Sequence, residues 1–158
     1  MRRIAFVVLF SLVFCFLLTG FVWAEGATKA ECIQKCHEAA KMLQQDKDAA
    51  IAEIAKKDGK FVWKDTYVFL MDFKGNMLAH PIKPQLTKKG CLYEITDKNP
   101  ANPKKIFIEF DKVAKSPKGE GWVEYMWPKP GEDKPSLKET YIYRVPGMDM
   151  YVGAGIYK

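Results

Sequence analysis

The stretch "YVFLMDFKGNMLAHP", residues 67–81, contains two apolar runs separated by a short polar turn. The run from Thr66 to Met71 is rich in aromatic and branched residues, which favour a β-strand. In "DFKGN", residues 72–76, Gly75 supplies the permissive backbone that a tight turn needs. "MLAH" then returns as a second strand, so the sequence predicts a β-hairpin here.

The segment before the hairpin has a helical pattern. Residues 28–57 are dominated by alanine, glutamate, lysine, glutamine and leucine, with apolar residues near helical spacing. Thr28 followed three residues later by Glu31 matches a capping box. "QQDKDAA" predicts a break into two helices, with Asp46 or Asp48 capping the second. Gly59 is available for a left-handed helix end.

The segment after the hairpin predicts one more helix and three more strands. A connection rich in proline and lysine, residues 82–105, precedes "IFIEFDKVAKS", whose apolar helical face is Ile106, Phe107, Phe110 and Val113. The strands are "GWVEYMWPKPG", "KETYIYRV" and "MYVGAGIYK". The predicted fold class is therefore α+β: a five-stranded antiparallel sheet, interrupted by one helix, behind a long N-terminal helical segment.

Residues 1–24 have the organisation of a secretory signal peptide. Arg2 and Arg3 precede an apolar run that ends near Leu18, and Val22 and Ala24 are the small residues before a cleavage point. We predict a cleaved signal peptide over 1–24 and an exported domain over 25–158, with an uncleaved membrane anchor as the alternative.

Composition argues against several classes of function. Without Arg2 and Arg3 the net charge falls from +6 to +4, and only Arg144 remains among scattered lysines and acids, so we expect no nucleic-acid partner. The chain has no nucleophile elbow, paired-carboxylate motif, phosphate loop or zincin helix. We therefore predict that it is not an enzyme and holds neither a metal nor a cofactor.

"ECIQKCHEAA", residues 31–40, differs by one residue from the C-x-x-C-H signature of covalent haem attachment. A c-type cytochrome with haem attached through Cys32 and Cys36, and His37 as axial ligand, is the alternative function. Zinc bound by the same three residues lacks a fourth ligand.

A disulfide accounts for the cysteines of an exported chain more simply. Cys32 and Cys36 lie one helical turn apart, too far for an unstrained bond to each other. We predict that Cys91 pairs with Cys32 or Cys36, which leaves one cysteine over.

Three segments together resemble the single Cache domain, the PAS-like extracytoplasmic sensor module of bacterial chemoreceptors and histidine kinases. They are "YVFLMDFKGNMLAHP", "GEGWVEYMWPKPG" and "KETYIYRVPGMDMYVGAGIY", and the resemblance covers about residues 29–157. It implies a periplasmic sensor for a small carboxylate such as acetate, propionate, pyruvate or lactate. Because the sequence ends at Lys158, we expect a free-standing module without an output domain. A homodimer through the N-terminal helix and a membrane signalling partner are further implications.

The resemblance also implies a curved, aromatic pocket, and the residues indicate what it would bind. Tyrosine hydroxyls, a histidine N–H and a lysine ammonium all donate hydrogen bonds, so donors that converge would select a small organic anion. The candidate ligand-binding residues are His80, Lys138, Tyr125, Trp127, Tyr141, Tyr67 and Trp122. Trp122 and Trp127 are five residues apart, and Lys138 and Tyr141 three apart, so each pair is expected on opposite faces of a regular strand.

Overall fold

The computed structural model describes residues 26–158, and the predicted signal peptide lies outside them. The helices are α1 (Lys29–Gln45), α2 (Lys47–Ala55) and α3 (Ile106–Ala114), with a short 3₁₀ helix at Pro84–Lys88. The strands are β1 (Val62–Trp63), β2 (Thr66–Asp72), β3 (Met77–Ala79), β4 (Glu120–Pro128), β5 (Pro135–Arg144) and β6 (Met150–Tyr157). Within this range, no helix combines the length and apolar character needed to cross a membrane.

The two N-terminal helices begin at the predicted caps. The Thr28 hydroxyl accepts from the Glu31 backbone N–H at 3.2 Å, and the Glu31 carboxylate accepts from the Thr28 N–H at 2.8 Å. Asp46 caps α2 by accepting from the Ala49 N–H at 3.0 Å. Gly59 does not take the predicted left-handed conformation, because the chain already leaves α2 in an extended conformation at Lys56.

We expect Asp46→Ala to lower the free energy of unfolding by about 1 kcal/mol, since it leaves an N–H group at the start of α2 without its side-chain acceptor. Chemical denaturation measures this loss. Asp48→Ala in the same turn is the matched control and should cost less, because Asp48 does not cap the helix. Equal losses would contradict the capping role.

The sheet is antiparallel, in the order β1-β2-β6-β5-β4, and β3 pairs with β2. Strand β1 pairs with Thr66 and Tyr67, while β3 pairs with Leu70 and Met71. Because β6 occupies the other side of β2, the two short strands share one edge of it. The sheet is therefore five strands wide although it contains six strands. The strand that the sequence did not predict is β1, which has only two residues.

Each face of the sheet packs against its own helices. We call the face under α1 and α2 the front face; Val68, Leu70, Val152 and Ala154 contribute to its core. The back face lies under α3 and the connection over residues 82–105, and its core includes Tyr67, Phe69, Tyr125, Ile142 and Tyr151. The α+β architecture thus agrees with the sequence prediction.

Two glycines keep the back face of β6 flat. A Cβ atom at Gly155 would lie 2.7 Å from the Glu139 carbonyl oxygen and 2.9 Å from the Thr140 Cα, closer than real Cβ contacts. A Cβ atom at Gly153 would overlap the ring of Phe69. Side chains of the neighbouring strands β2 and β5 can therefore lie across β6.

Candidate functional site

A small cavity lies between the back face of the sheet and α3. It has about 250 Å³ of space not filled by atoms, counting its mouth, and the free space between the rings is about that of one water molecule. Its lining is largely aromatic and comprises Tyr67, Phe69, Met77, His80, Leu86, Ile106, Phe107, Phe110, Tyr125 and Trp127. The site is therefore nearly closed in this conformation.

Aromatic rings in mutual contact form the walls. Phe110 of α3 lies 5.6 Å from Phe69 and 5.3 Å from Tyr125, centroid to centroid, and Tyr125 lies 6.1 Å from Trp127. Phe107 packs edge-on against Phe110 and Trp127. The buried face of α3 thus closes a cage whose floor is β2 and β4.

His80 contributes a neutral hydrogen-bond donor to this cage. Its Nδ1 accepts from the backbone N–H groups of Ile82 at 3.2 Å and Lys83 at 3.0 Å, so the proton of the neutral ring lies on Nε2. Burial, with the charges of Lys138 and Lys83, lowers the pKa of His80 to about 3. Nε2–H has no hydrogen-bond acceptor within residues 26–158 and is free to donate to a ligand.

Lys138 is a buried cation beside the cage, only 1% exposed. Its Nζ donates to the Tyr157 hydroxyl at 3.1 Å and lies 4.3 Å from the ring centroid of Tyr67 and 4.6 Å from that of Tyr157. Lys138 forms no salt bridge with any residue that the structure describes. Burial lowers the pKa of Lys138 to about 7, because the ammonium loses its hydration without gaining a carboxylate.

The Tyr67 ring lies between Lys138 and the cavity. The Tyr67 ring lines the cavity and lies 4.7 Å from the His80 ring, whereas Lys138 contacts Tyr67 and does not itself line the cavity. Burial raises the pKa of Tyr67 to about 12, so its hydroxyl is neutral at physiological pH. A displacement of the Tyr67 ring is therefore needed to bring Lys138 and His80 onto one ligand.

Two further polar contacts complete the surroundings. The Tyr125 and Thr140 hydroxyls lie 2.9 Å apart, and the Tyr157 hydroxyl donates to the Pro128 carbonyl at 3.0 Å. Lys83 places a second cation at the mouth, with Nζ 4.8 Å from the Trp127 ring centroid. The lining contains no carboxylate, so the polar groups favour an anion.

Five of the seven predicted ligand-binding residues belong to this region: His80, Lys138, Tyr125, Trp127 and Tyr67. Tyr141 and Trp122 lie on the front face and do not reach the cavity. Tyr141 donates to a Glu120 carboxylate oxygen and lies 3.3 Å from His37 Nε2, while Trp122 lies under the Lys29 ammonium. The odd spacing within each predicted pair produces this separation, since alternate residues of β4 and β5 face opposite sides.

The sequence did not single out several residues that complete the site. They are Phe69, Phe107, Phe110, Thr140, Lys83 and Tyr157. Thr140 could have been found by alternation from Lys138, two residues away on the same strand. Tyr157 lies opposite Lys138 in the β5–β6 register, which depends on strand pairing and not on a local pattern.

The predicted disulfide is not formed in the structure. Cys32, Cys36 and Cys91 all have free thiols. Cys32 and Cys36 are buried between α1 and the front face. Cys91 is exposed, and its backbone forms an isolated antiparallel bridge with Asn76 beside the hairpin turn. Burial raises the pKa of Cys32 to about 12 and also raises that of Cys36, so both thiols are protonated at physiological pH.

The haem alternative gains no support from this geometry. Cys32 and Cys36 are fully buried in the interface between α1 and the sheet, where covalent attachment would require the helix to separate from its core. His37 is half-exposed and packs on Tyr143, with ring centroids 4.3 Å apart. Among the described residues, no group of three or more His, Cys, Asp or Glu could hold a metal ion.

Comparison with known sequences places the fold in a recognised group. A family model described as the Cache domain matches residues 32–158. The methyl-accepting chemotaxis protein McpP of Pseudomonas putida is 31% identical over 93 residues, which are 59% of this chain and 16% of that protein. The aligned part of this chain is therefore about one sixth of the receptor's length.

Solved structures give the same fold. A Cache chemosensory domain, described for its recognition of carboxylic acids, has a TM-score of 0.65 and 25% identity, covering 81% of this chain and 91% of its own. A methyl-accepting chemotaxis protein from Vibrio parahaemolyticus has a TM-score of 0.66 and 24% identity, with 82% and 87% covered. A periplasmic sensor domain of a chemotaxis protein has a TM-score of 0.63 and 23% identity, with 81% and 88% covered.

Proposed function

Because this chain belongs to the Cache domain family, we propose that it binds a small monocarboxylate in the cavity behind α3. The observation that carries the proposal is Lys138, a fully buried ammonium without a carboxylate partner in the part of the chain described. A buried charge is costly unless it is paired. A carboxylate ligand would supply the missing pair, as the similarity to a carboxylic-acid-recognising domain also suggests.

The charges of the site favour a single negative charge. A charge-assisted hydrogen bond from Lys138 is worth about 1.5–3 kcal/mol, and His80 Nε2–H and the tyrosine hydroxyls add neutral donors. Among residues 26–158, a second carboxylate would find only Lys83 at the mouth and no cation inside the aromatic cage. The proposed ligands are therefore monocarboxylic acids of a few carbons, in the class of acetate, propionate, pyruvate and lactate.

We expect binding to open the cage. The free space in the present conformation is about that of one water molecule, and the Tyr67 ring lies over the Lys138 ammonium. A ligand with four to six non-hydrogen atoms requires the rings to move apart, and a rotation of Tyr67 would bring the ammonium into contact with it. The proposed site is thus nearly closed without ligand and opens to admit a small acid.

The proposed place of action is the periplasm. The predicted signal peptide supports export, and Cache domains are extracytoplasmic sensor modules. The similarity to chemotaxis receptors supports a role in sensing, with a membrane partner as the recipient of the signal. Pairing of two copies through α1 stays a prediction.

Thermal unfolding with increasing concentrations of acetate, propionate, pyruvate and lactate tests the proposal. At a hundred times the Kd, we expect at least one acid to raise the midpoint by on the order of 10 °C, because a ligand that binds only the folded state stabilises it. Ethylammonium chloride is the control of similar size and opposite charge. A midpoint that shows no saturable response to any of the four acids would overturn the proposal.

Affinity should depend on pH through Lys138. The pKa of Lys138 is about 7 without ligand, and a bound anion would raise it, so binding takes up a proton above pH 7. We expect constant affinity between about pH 5.5 and 7 and an approach to a tenfold loss per pH unit above it. Calorimetry in buffers of different ionisation enthalpy measures the proton uptake.

His80, Cys32 and Tyr67 are not expected to produce this slope. The titratable groups that act on Lys138 are His80 and Lys83 after β3, Asp65 before β2, Cys32 on α1, and the tyrosines Tyr67 and Tyr157. The pKa values are about 3 for His80 and about 12 for Cys32 and Tyr67, outside the tested range. Affinity that stays flat up to pH 9 would argue against Lys138 as the ligand's cation.

A further inference from the structure

Lys138 has two features beyond those needed to attract an anion. Its amine is buried beside the cage, between the rings of Tyr67 and Tyr157, and forms no salt bridge with a carboxylate of residues 26–158. It is also in hydrogen-bond contact with a hydroxyl, that of Tyr157, at 3.1 Å. A desolvated lysine in such surroundings is the type of amine that forms imines with carbonyl compounds.

We propose that Lys138 Nζ captures the ketone of a 2-oxo monocarboxylic acid as a reversible imine. Acids of the same size without the ketone would be held only by non-covalent contacts. This inference rests on the proposed function, since the same cavity must first admit the acid. It assigns to the site a preferred chemical class, the 2-oxo acids.

The reaction is balanced without an oxidant or a reductant. The lone pair of the neutral amine attacks C2 of the acid, the carbonyl electron pair moves to oxygen, and this oxygen takes up a proton while nitrogen loses one. The resulting carbinolamine then loses its hydroxyl group with a second proton as water, and a C=N bond forms. The products are the imine and one water molecule.

The neighbours of Lys138 suit these proton movements. The Tyr157 hydroxyl accepts a hydrogen bond from Nζ and donates its own to the Pro128 carbonyl oxygen, so it holds the nitrogen in position while nitrogen's proton passes to the ketone oxygen. His80 Nε2–H and the Tyr67 hydroxyl are neutral donors that could hold the carboxylate or the departing oxygen. The aromatic walls limit the water that would hydrolyse the imine.

The protonation state of Lys138 is also favourable. Burial lowers its pKa to about 7, so about half of the amine is neutral at that pH. An ordinary lysine with a pKa of 10.5 is neutral in roughly one molecule in 3,000 at the same pH. The nucleophilic form is therefore roughly a thousandfold more abundant at Lys138 than at an exposed lysine.

Reductive trapping at pH 7 tests this inference on the intact folded chain. Pyruvate and sodium cyanoborohydride are added, and peptide mass spectrometry follows the secondary amine formed at each lysine. We expect Lys138 to be modified at least tenfold faster than the exposed Lys88 and Lys89, and acetate to slow the modification of Lys138 alone. Lactate, which lacks the ketone, should yield no adduct.

The comparison of Lys138 with Lys88 and Lys89 is made within the wild-type chain, so it does not depend on the folding of a variant. Modification of Lys138 no faster than Lys88 and Lys89 would overturn the inference, while stabilisation by acetate separately reports the proposed function. Lys138→Arg retains the charge but cannot form the imine. Whatever its affinity for acetate, we expect this variant to bind pyruvate no more tightly than lactate; an unchanged preference for pyruvate would also overturn the inference.

Discussion

Lys138→Met is expected to weaken carboxylate binding roughly 10- to 150-fold while leaving the unliganded protein as stable as before, or more stable. The loss of affinity follows from removing the only deeply buried cation in the part of the chain described. The free energy of unfolding is expected to stay the same or to rise, because methionine fills similar space without the cost of burying a charge. Replacing buried charges by apolar residues can stabilise a protein by about 1–4 kcal/mol.

The size of the stability difference should depend on pH. The pKa of Lys138 is about 7 in the folded chain against 10.5 for an ordinary lysine, so the unfolded chain binds more protons between these values. Below pH 7 both states carry the proton and the full cost of burial applies; above it, the stability of the wild type rises with pH. The Lys138→Met variant should lose this rise, so its advantage is largest below pH 7.

Thermal unfolding and ligand titration of the same samples measure both effects. Lys88→Met is the matched control, because Lys88 is an exposed lysine of the 3₁₀ helix, and neither affinity nor stability should change. Binding within twofold of the wild type in Lys138→Met would exclude the ammonium as the main anchor. A loss of both binding and stability would indicate a structural role.

Phe110→Ala is expected to lower the free energy of unfolding by about 3–5 kcal/mol, the largest effect on stability that we predict. Phe110 is 1% exposed and contacts the rings of Phe69, Phe107 and Tyr125. Removing it leaves a void between α3 and the sheet, where the rings on both sides lose contacts. Denaturant unfolding at constant m-value measures the loss.

Ile108→Ala on the same helix is the control for this substitution. Ile108 is half-buried and lies outside the two cores, so truncation should cost less than half as much. If Phe110→Ala costs below about 1.5 kcal/mol, the surrounding rings have collapsed into the space. The cage would then be more deformable than its packing indicates.

Local patterns predicted the architecture well. The hairpin turn at Gly75, the capping box at Thr28 and the apolar face of α3 depend on residues close in sequence. The two-residue strand β1 escaped prediction because so short a segment carries no periodicity. Gly59 is a typical residue for a helix end, but α2 ends four residues earlier, at Ala55.

The site was harder to predict because it depends on pairing between strands. Alternation tells which residues of one strand share a face, but not which faces of different strands coincide. Odd-numbered residues of β4 and even-numbered residues of β5 share the back face because Tyr125 pairs with Lys138. The predicted disulfide to Cys91 is not formed in the structure, and composition, which indicates only the compartment, could not decide it.

The two glycines of β6 restrict how a binding site on this scaffold can diversify. Because neither Gly153 nor Gly155 leaves room for a Cβ atom, these two positions of β6 cannot supply a side chain that reshapes the cavity. Changes in chain length or polarity of the guest must then be accommodated from β2, β4 and α3. Natural or engineered variants with altered ligand preference should therefore carry their substitutions on β2, β4 and α3 and keep both glycines of β6.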